Sequence, residues 1–262
     1  MKMKNMLIGG MSLALVACIS IGGTLAYLSD KTGEVTNTFT MGKGYVDQGL
    51  VLDETALHKT GEVDEEQNPV LENPTEISSS ERTTTGNKYL EMNIGDAIAK
   101  DPTLKLTTGS VDSYVFVRVE GADNLVAKKL YISTDTAKNM MASDVTVNYT
   151  DINHTTGEQK SAFDDNWVKI KELNGDAADL SKLDGYYYYK VAEGNLIVTD
   201  KTTMDPLFKS VLLPNDLEKV PELGSAKAIK IMGAAVQAHN VADINAAWNL
   251  VSTIADFAPA RG

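Results

Sequence analysis

The six residues Tyr114-Val115-Phe116-Val117-Arg118-Val119 alternate strictly, with valine at every second position. A period of two places successive side chains on opposite faces of a pleated strand, so this stretch predicts a β-strand with its valines on one face. The period recurs in Val145-Thr146-Val147-Asn148-Tyr149-Thr150, which the polar run Asp151-Ile152-Asn153-His154-Thr155-Thr156-Gly157 closes as a turn. Trp167-Val168-Lys169-Ile170 and Ala228-Ile229-Lys230-Ile231-Met232 read as further short strands, and residues 36–46 with Leu50-Val51-Leu52 as one or two more. Tyr186-Tyr187-Tyr188-Tyr189-Lys190-Val191 and Leu196-Ile197-Val198-Thr199 flank Glu193-Gly194-Asn195, a hairpin signature in which Gly194 is free to take positive φ. Two helices are predicted. Val241, Ile244, Ala247, Trp248 and Val251 fall at helical spacing, with Asn240 placed to cap and Asp243 in the first turn. Residues 137–142 form the shorter one. Many short strands separated by turn signals point to an all-β sandwich.

Residues 53–88 have a different character. They contain Asp53, Glu54, Glu62, Asp64, Glu65, Glu66, Glu72 and Glu76, with Pro69, Pro74 and Ser78-Ser79-Ser80 between, and no aromatic residue. So little apolar surface cannot offset the entropy of ordering the chain, and the stretch reads as a long, flexible acidic loop. No D-x-[DN]-x-[DN]-G spacing marks a calcium loop within it.

The N-terminus reads as an export leader. Lys2 and Lys4 precede an apolar run over residues 6–21, which is short for a bilayer span. Thr24-Leu25-Ala26 then offers Ala26 as the small residue before cleavage, so Tyr27 begins the mature chain. The only cysteine, Cys18, lies inside this leader. Leu15-Val16-Ala17-Cys18 fits a lipobox, but Ile19-Ser20-Ile21 continues the apolar run where a lipidated cysteine is followed by a polar tether. Without cysteine, the mature chain has no disulfide, no thiol chemistry and no thiolate-bound zinc. Removing a leader with two lysines and no acids takes the formal net charge from −12 to −14. Such a charge disfavours nucleic acid or an anionic membrane face as partner, and it opposes self-association at low salt. The domain plan is therefore a signal peptide at 1–26, an N-terminal strand segment at 27–46 and a domain at 47–262 containing the acidic loop.

Signs of catalysis are few. His58, His154 and His239 are the only histidines, and no H-E-x-x-H or i, i+4 histidine pair occurs. Ser78-Ser79-Ser80 lacks the glycines of a nucleophile elbow, and no phosphate-cradling glycine loop is present. Asp164-Asp165-Asn166 reads as a turn rather than a calcium site. No catalytic, cofactor or metal residue is therefore assigned. The four tyrosines, placed on one strand, put two rings on each face. The inner pair is expected to pack in the core, while the outer pair is equally open to packing beneath neighbouring side chains and to offering an aromatic platform of the kind a lectin or protein contact uses.

Several motifs carry a family resemblance. Gly22-Gly23-Thr24-Leu25-Ala26-Tyr27-Leu28-Ser29-Asp30 followed by Asn37-Thr38-Phe39-Thr40-Met41-Gly42 resembles the leader and first strand of the secreted TasA/camelysin family of Gram-positive bacteria. Asn87-Lys88-Tyr89, Ile94-Gly95-Asp96 (with Ile94 where proline is usual) and Lys100-Asp101-Pro102-Thr103 are similar to that family's N-x-Y, P-G-D and K-D-P landmarks. Residues 113–119, Asp184-Gly185 with the tyrosine run, Pro206-Leu207-Phe208, and Ala235-Val236-Gln237-Ala238 with Ala247-Trp248 match later landmarks in order.

The resemblance implies a jelly-roll-like β-sandwich with peripheral helices, released by a signal peptidase of the SipW type, with the membrane met only as uncleaved precursor. It implies a structural subunit of an extracellular biofilm matrix fibre, a head-to-tail homopolymer built by donor-strand exchange. In residues 35–42, Phe39 and Met41 alternate with threonines and suit the anchors of a donated strand. Two other functions stand beside it: a camelysin-like surface metallopeptidase, disfavoured by the missing histidine pair, and a monomeric adhesin or lectin-like module.

Overall fold

A computed structural model of the chain describes residues 29–31, 49–142, 162–173, 176–191, 194–199, 202–223, 228–254 and 257. The strands β1 (Ser29–Lys31), β2 (Leu50–Thr55), β3 (His58–Val63), β4 (Pro69–Glu72), β5 (Arg82–Thr83), β6 (Ala97–Ala99), β7 (Thr103–Leu106) and β8 (Ser113–Glu120) come first. Helix α1 (Ala122–Ala127), strand β9 (Tyr131–Ser133) and helix α2 (Ala137–Ala142) follow. The remainder supplies β10 (Trp167–Lys169), β11 (Glu172–Leu173), β12 (Asp176–Ala177), β13 (Gly185–Tyr189), β14 (Ser210–Leu212), β15 (Lys230–Gln237) and helix α3 (Ile244–Val251). All the pairings between these strands are antiparallel. The expected all-β class is what the described residues form.

The largest sheet has the order β1-β15-β8-β13-β10, with β8 at its centre. Its alternation works as the sequence implies. Val115, Val117 and Val119 enter one core, where they meet Leu50 and Leu52 of β2, Leu104 and Leu106 of β7, Ile98 of β6, Ile132 of β9 and Val211 of β14. Tyr114 and Phe116 enter a second cluster on the opposite face, against Trp248 and Val251 of α3. Burial of each such side chain contributes about 1.5–3 kcal/mol, so both faces of this sheet are strongly committed. Two smaller sheets, β5-β2-β7 and β6-β14-β9, send Leu50, Leu52, Leu104, Leu106, Ile98, Ile132 and Val211 into the first core, while Ala97, Ala99 and Leu212 pack on α2.

Several sequence expectations change. Helix α3 is capped by Asp243, whose side chain accepts from the Ala246 backbone N–H at 2.9 Å, and not by Asn240. Asn240 takes φ 63° in the turn before it, a conformation asparagine tolerates, while the extended backbone of Asp243 is the one a cap requires. Gly194 does sit in a turn at φ 86°, with the Val191 N–H donating to the Asn195 carbonyl at 2.8 Å. The predicted hairpin does not form, however, because β8 and β10 already occupy both edges of β13. Val198 instead exchanges two backbone hydrogen bonds with Ser113, each 2.8 Å.

Helix α1 is not signalled in the sequence. It is capped from outside by Asp184, which accepts from the backbone N–H groups of Gly121, Ala122 and Asp123. Asp123 returns the favour by accepting from those of Leu183 and Asp184. The strand expected at residues 145–150 lies outside the described residues.

The stretch 53–88, read as a loop, holds regular structure. Asp53, Glu54 and Thr55 complete β2, β3 and β4 form an exposed hairpin, and Arg82 and Thr83 form β5. The sequence reading failed there because the partners of those charges lie far along the chain. The tyrosine strand also differs. Tyr187 and Tyr189 face the first core as expected, but Tyr186 is buried too, edge-on to Trp248 at 5.1 Å and to Phe257 at 5.7 Å. Tyr188 is half-buried on that same face. Helix α3 covers this face, which also carries Phe116, Met232 and Val236, so of the two alternatives the outer rings take packing.

Candidate functional site

The residues predicted to govern cleavage, Ala26 and Tyr27, and the strand anchors Phe39 and Met41 lie outside the described residues. What is described is their neighbour in sequence. Residues Ser29–Lys31 form β1, pairing Ser29 with Val236, Asp30 with Ala235 and Lys31 with Ala234. On its other edge β15 is matched to β8 along its whole length, from Lys230 opposite Glu120 to Gln237 opposite Ser113. The chain just beyond the predicted cleavage point therefore takes up the outermost place in the main sheet, held by main-chain pairing over three residues. A sheet edge with free N–H and C=O groups is a template for any extended segment, whether from the same chain or another.

A second assembly of functional groups is buried. The end of β2 carries Asp53, Glu54 and Thr55 at 7%, 4% and 2% exposure. Charges persist there only if paired, and each is. The antiparallel register places Thr55 opposite Arg82 and Asp53 opposite Thr103. Arg82 grips Asp53 Oδ1 with Nε at 3.0 Å and Nη2 at 2.6 Å, and its Nη1 reaches Asp101 Oδ2. Lys105 Nζ donates to Asp53 Oδ2 at 2.6 Å, and Lys100 Nζ donates to Glu54 Oε2 at 2.6 Å. Asp101 Oδ1 accepts from the Thr55 N–H at 2.7 Å. Asn87 donates to Glu54 Oε1 from its backbone N–H at 2.9 Å and from Nδ2 at 3.0 Å. Three carboxylates thus meet three cations. Burial opposes the Arg82 charge, but the hydrogen bonds that Arg82 donates to Asp101 and Asp53, with their negative charges, outweigh it and hold the guanidinium above its ordinary range. Burial also pushes the Tyr89 phenol up, and the Glu54 charge adds to it.

In sequence Asn87, Tyr89, Lys100 and Asp101 stood only in stretches that carry a resemblance, and nothing there marked them as one cluster; the fold brings the two stretches together. Asp53, Glu54 and Arg82 were missed among the surrounding acids. One signal was present: Arg82 is one of only three arginines in the chain, and it stands inside an acidic stretch.

The remaining candidates stay apart. His58 is exposed on β3, with Nε2 3.8 Å from Glu72 and Nδ1 3.6 Å from Glu81, beside a polar cleft of about 450 Å³. His239 is exposed in a turn, and His154 lies outside the described residues. Asp164 closes its own turn, accepting from the Asn166 N–H at 3.0 Å. Among the described residues no group of three histidine, cysteine or acidic side chains is placed to hold a metal ion, and no helix is long and apolar enough to cross a membrane.

With this geometry in hand, the class is an antiparallel, mostly β protein that takes its N-terminal segment as an edge strand. No family model, curated protein or solved structure matches the chain.

Proposed function

We propose that this chain is a secreted structural subunit of an extracellular matrix fibre, a jelly-roll-like β-sandwich that polymerises by donor-strand exchange once its signal peptide is removed. The observation that carries this reading is the position of β1. Ser29–Lys31, immediately after the predicted cleavage point, forms the edge strand of the main sheet through three residue pairs with β15. So short a pairing is readily exchanged for a longer one. In the subunit on its own, the segment closes its own sheet edge. In the fibre, residues 35–42 of a neighbour would be added to a subunit's sheet, with main-chain bonds giving affinity and Phe39 and Met41 setting register. A contact between different surfaces of identical subunits propagates as a filament wherever its rotation does not close into a ring. The partners are then other copies of this chain and a signal peptidase of the SipW type, and the mature charge of −14 makes assembly salt-dependent.

Processing is the trigger in this scheme, because the apolar leader tethers the strand until it is cut. N-terminal sequencing of exported protein should return Tyr27 as the first residue. Ala26→Leu should leave uncut, membrane-held precursor, since leucine does not fit where a small residue is required. Normal release of that variant would remove the trigger. A blocked terminus at Cys18 would mean lipid anchoring in place of release.

A further inference from the structure

Lys100, Glu54 and Asn87 have a geometry that their role in the ion cluster does not require. The Glu54 carboxylate bridges the other two: Oε2 accepts from Lys100 Nζ at 2.6 Å, and Oε1 accepts from Asn87 Nδ2 at 3.0 Å. Glu54 is 4% exposed and Lys100 8%, so water is largely shut out. The Asn87 amide is held in one orientation. The two Nδ2 hydrogens are shared among Glu54 Oε1, the Thr55 carbonyl at 2.6 Å and the Tyr89 hydroxyl at 3.1 Å, while Oδ1 accepts from the Leu57 N–H at 3.1 Å. Lys100 Nζ lies 5.0 Å above the Tyr89 ring centre, so one aromatic side chain flanks both the amine and the amide.

We propose that this is a self-crosslinking site, at which Lys100 and Asn87 join through an isopeptide bond with Glu54 as the proton carrier. The Lys100 ammonium passes a proton to Glu54, which in a dry site replaces two charges by two neutral groups. The freed lone pair on Nζ attacks Asn87 Cγ, forming the new C–N bond. Negative charge developing on Oδ1 faces the Leu57 N–H, a donor already in place. Glu54 returns its proton to Nδ2, the old Cγ–Nδ2 bond breaks, and the second proton lost from Nζ follows to the departing nitrogen. The products are the amide and one ammonium ion, and Glu54 ends as the carboxylate it began as. No oxidant, metal or co-reactant is needed. The amide nitrogen that must leave is the one aimed at Glu54, which is the orientation this proton transfer demands. The chemistry also suits the chain: its only cysteine lies in the predicted leader, so no disulfide is open to the mature protein as a covalent brace.

The test is the denatured intact mass of the purified mature wild-type protein, compared with the mass of its sequence from the N-terminus found by sequencing. The site predicts a mass lower by one ammonia, together with a branched proteolytic peptide that joins the Lys100 and Asn87 segments. Glu54→Gln and Lys100→Met should each restore the full sequence mass. A wild-type protein at full sequence mass overturns the proposal, and so does an ammonia loss without the branched peptide. The branched peptide appearing in Glu54→Gln would overturn the role of Glu54. Because the readout is taken on the wild-type chain, poor folding of a variant does not blunt it.

Discussion

Arg82→Ala is expected to lower the free energy of unfolding by about 3–5 kcal/mol, the range for removing one partner of a buried ion pair. The arginine side chain is 14% exposed and serves two carboxylates, Asp53 at 8% and Asp101 at 1%. Truncation leaves Asp53 with Lys105, but deprives Asp101 of its only cation in the cluster. The Thr55 N–H that remains to Asp101 is a neutral donor and does not balance the charge. A loss of this size is a large share of the 5–15 kcal/mol by which a domain is stable, so the variant should populate unfolded forms at 37 °C. Arg82→Lys should recover only part of it, because a single ammonium cannot grip Asp53 in two places and reach Asp101 as well. Urea denaturation at neutral pH measures both. A cost below about 1 kcal/mol for Arg82→Ala would place the pair among solvated surface contacts and dissolve the cluster as a structural element.

Alkaline pH should unfold the protein steeply. Burial holds the phenols of Tyr89, Tyr187 and Tyr189 above the ordinary tyrosine range, and nearby carboxylates add to each. The folded-state value exceeds the unfolded one, so the proton is retained in the native state while the unfolded chain ionises. Stability is therefore intact below about pH 10 and lost as pH rises above it. Between about pH 10 and pH 11 each of the three subtracts roughly 1 kcal/mol, about 3 kcal/mol together. Lys169 acts in the opposite sense. Burial lowers its pKa, against the pull of Asp123, Asp179 and Asp184, so it regains stability as pH rises. Tyr187→Phe separates the contributions. It loses the hydroxyl's bond to the Leu183 carbonyl, 2.6 Å long, and should cost about 1 kcal/mol at neutral pH. Its alkaline slope should be shallower by about a third. Urea midpoints measured across this range check the sign, and a flat profile would show that these phenols are solvated.

What could be read from the sequence follows the range over which each interaction acts. Strand β8 was legible because alternation is a local property, and its valines face the core as the pattern required. Helix α3 was legible from its spacing, but its cap was misplaced because Asn240 and Asp243 are both good capping residues. Only the positive φ of Asn240 decides between them. The acidic stretch was misread for a different reason. Arg82 meets Asp53 across 29 positions and Lys100 meets Glu54 across 46, so nothing local distinguishes those acids from solvated ones. The tyrosine run misled because alternation assigns rings to faces without saying what covers a face. Helix α3 and Phe257, about 60 to 70 positions further on, cover the second one.

Electron microscopy of the mature protein at moderate salt, beside a chain lacking residues 27–42, bears most directly on the fibre reading. Full-length mature protein should form filaments. The truncated chain should keep its β-sheet circular dichroism and remain monomeric by light scattering, because it loses only the three-residue edge strand β1 from its own sheet together with the segment it would give to a neighbour. Phe39→Asp should assemble as poorly, since a carboxylate placed in an apolar groove costs several kcal/mol. Filaments that persist without residues 27–42 would contradict donor-strand assembly, and a mature protein that stays monomeric at every salt concentration would contradict the fibre itself.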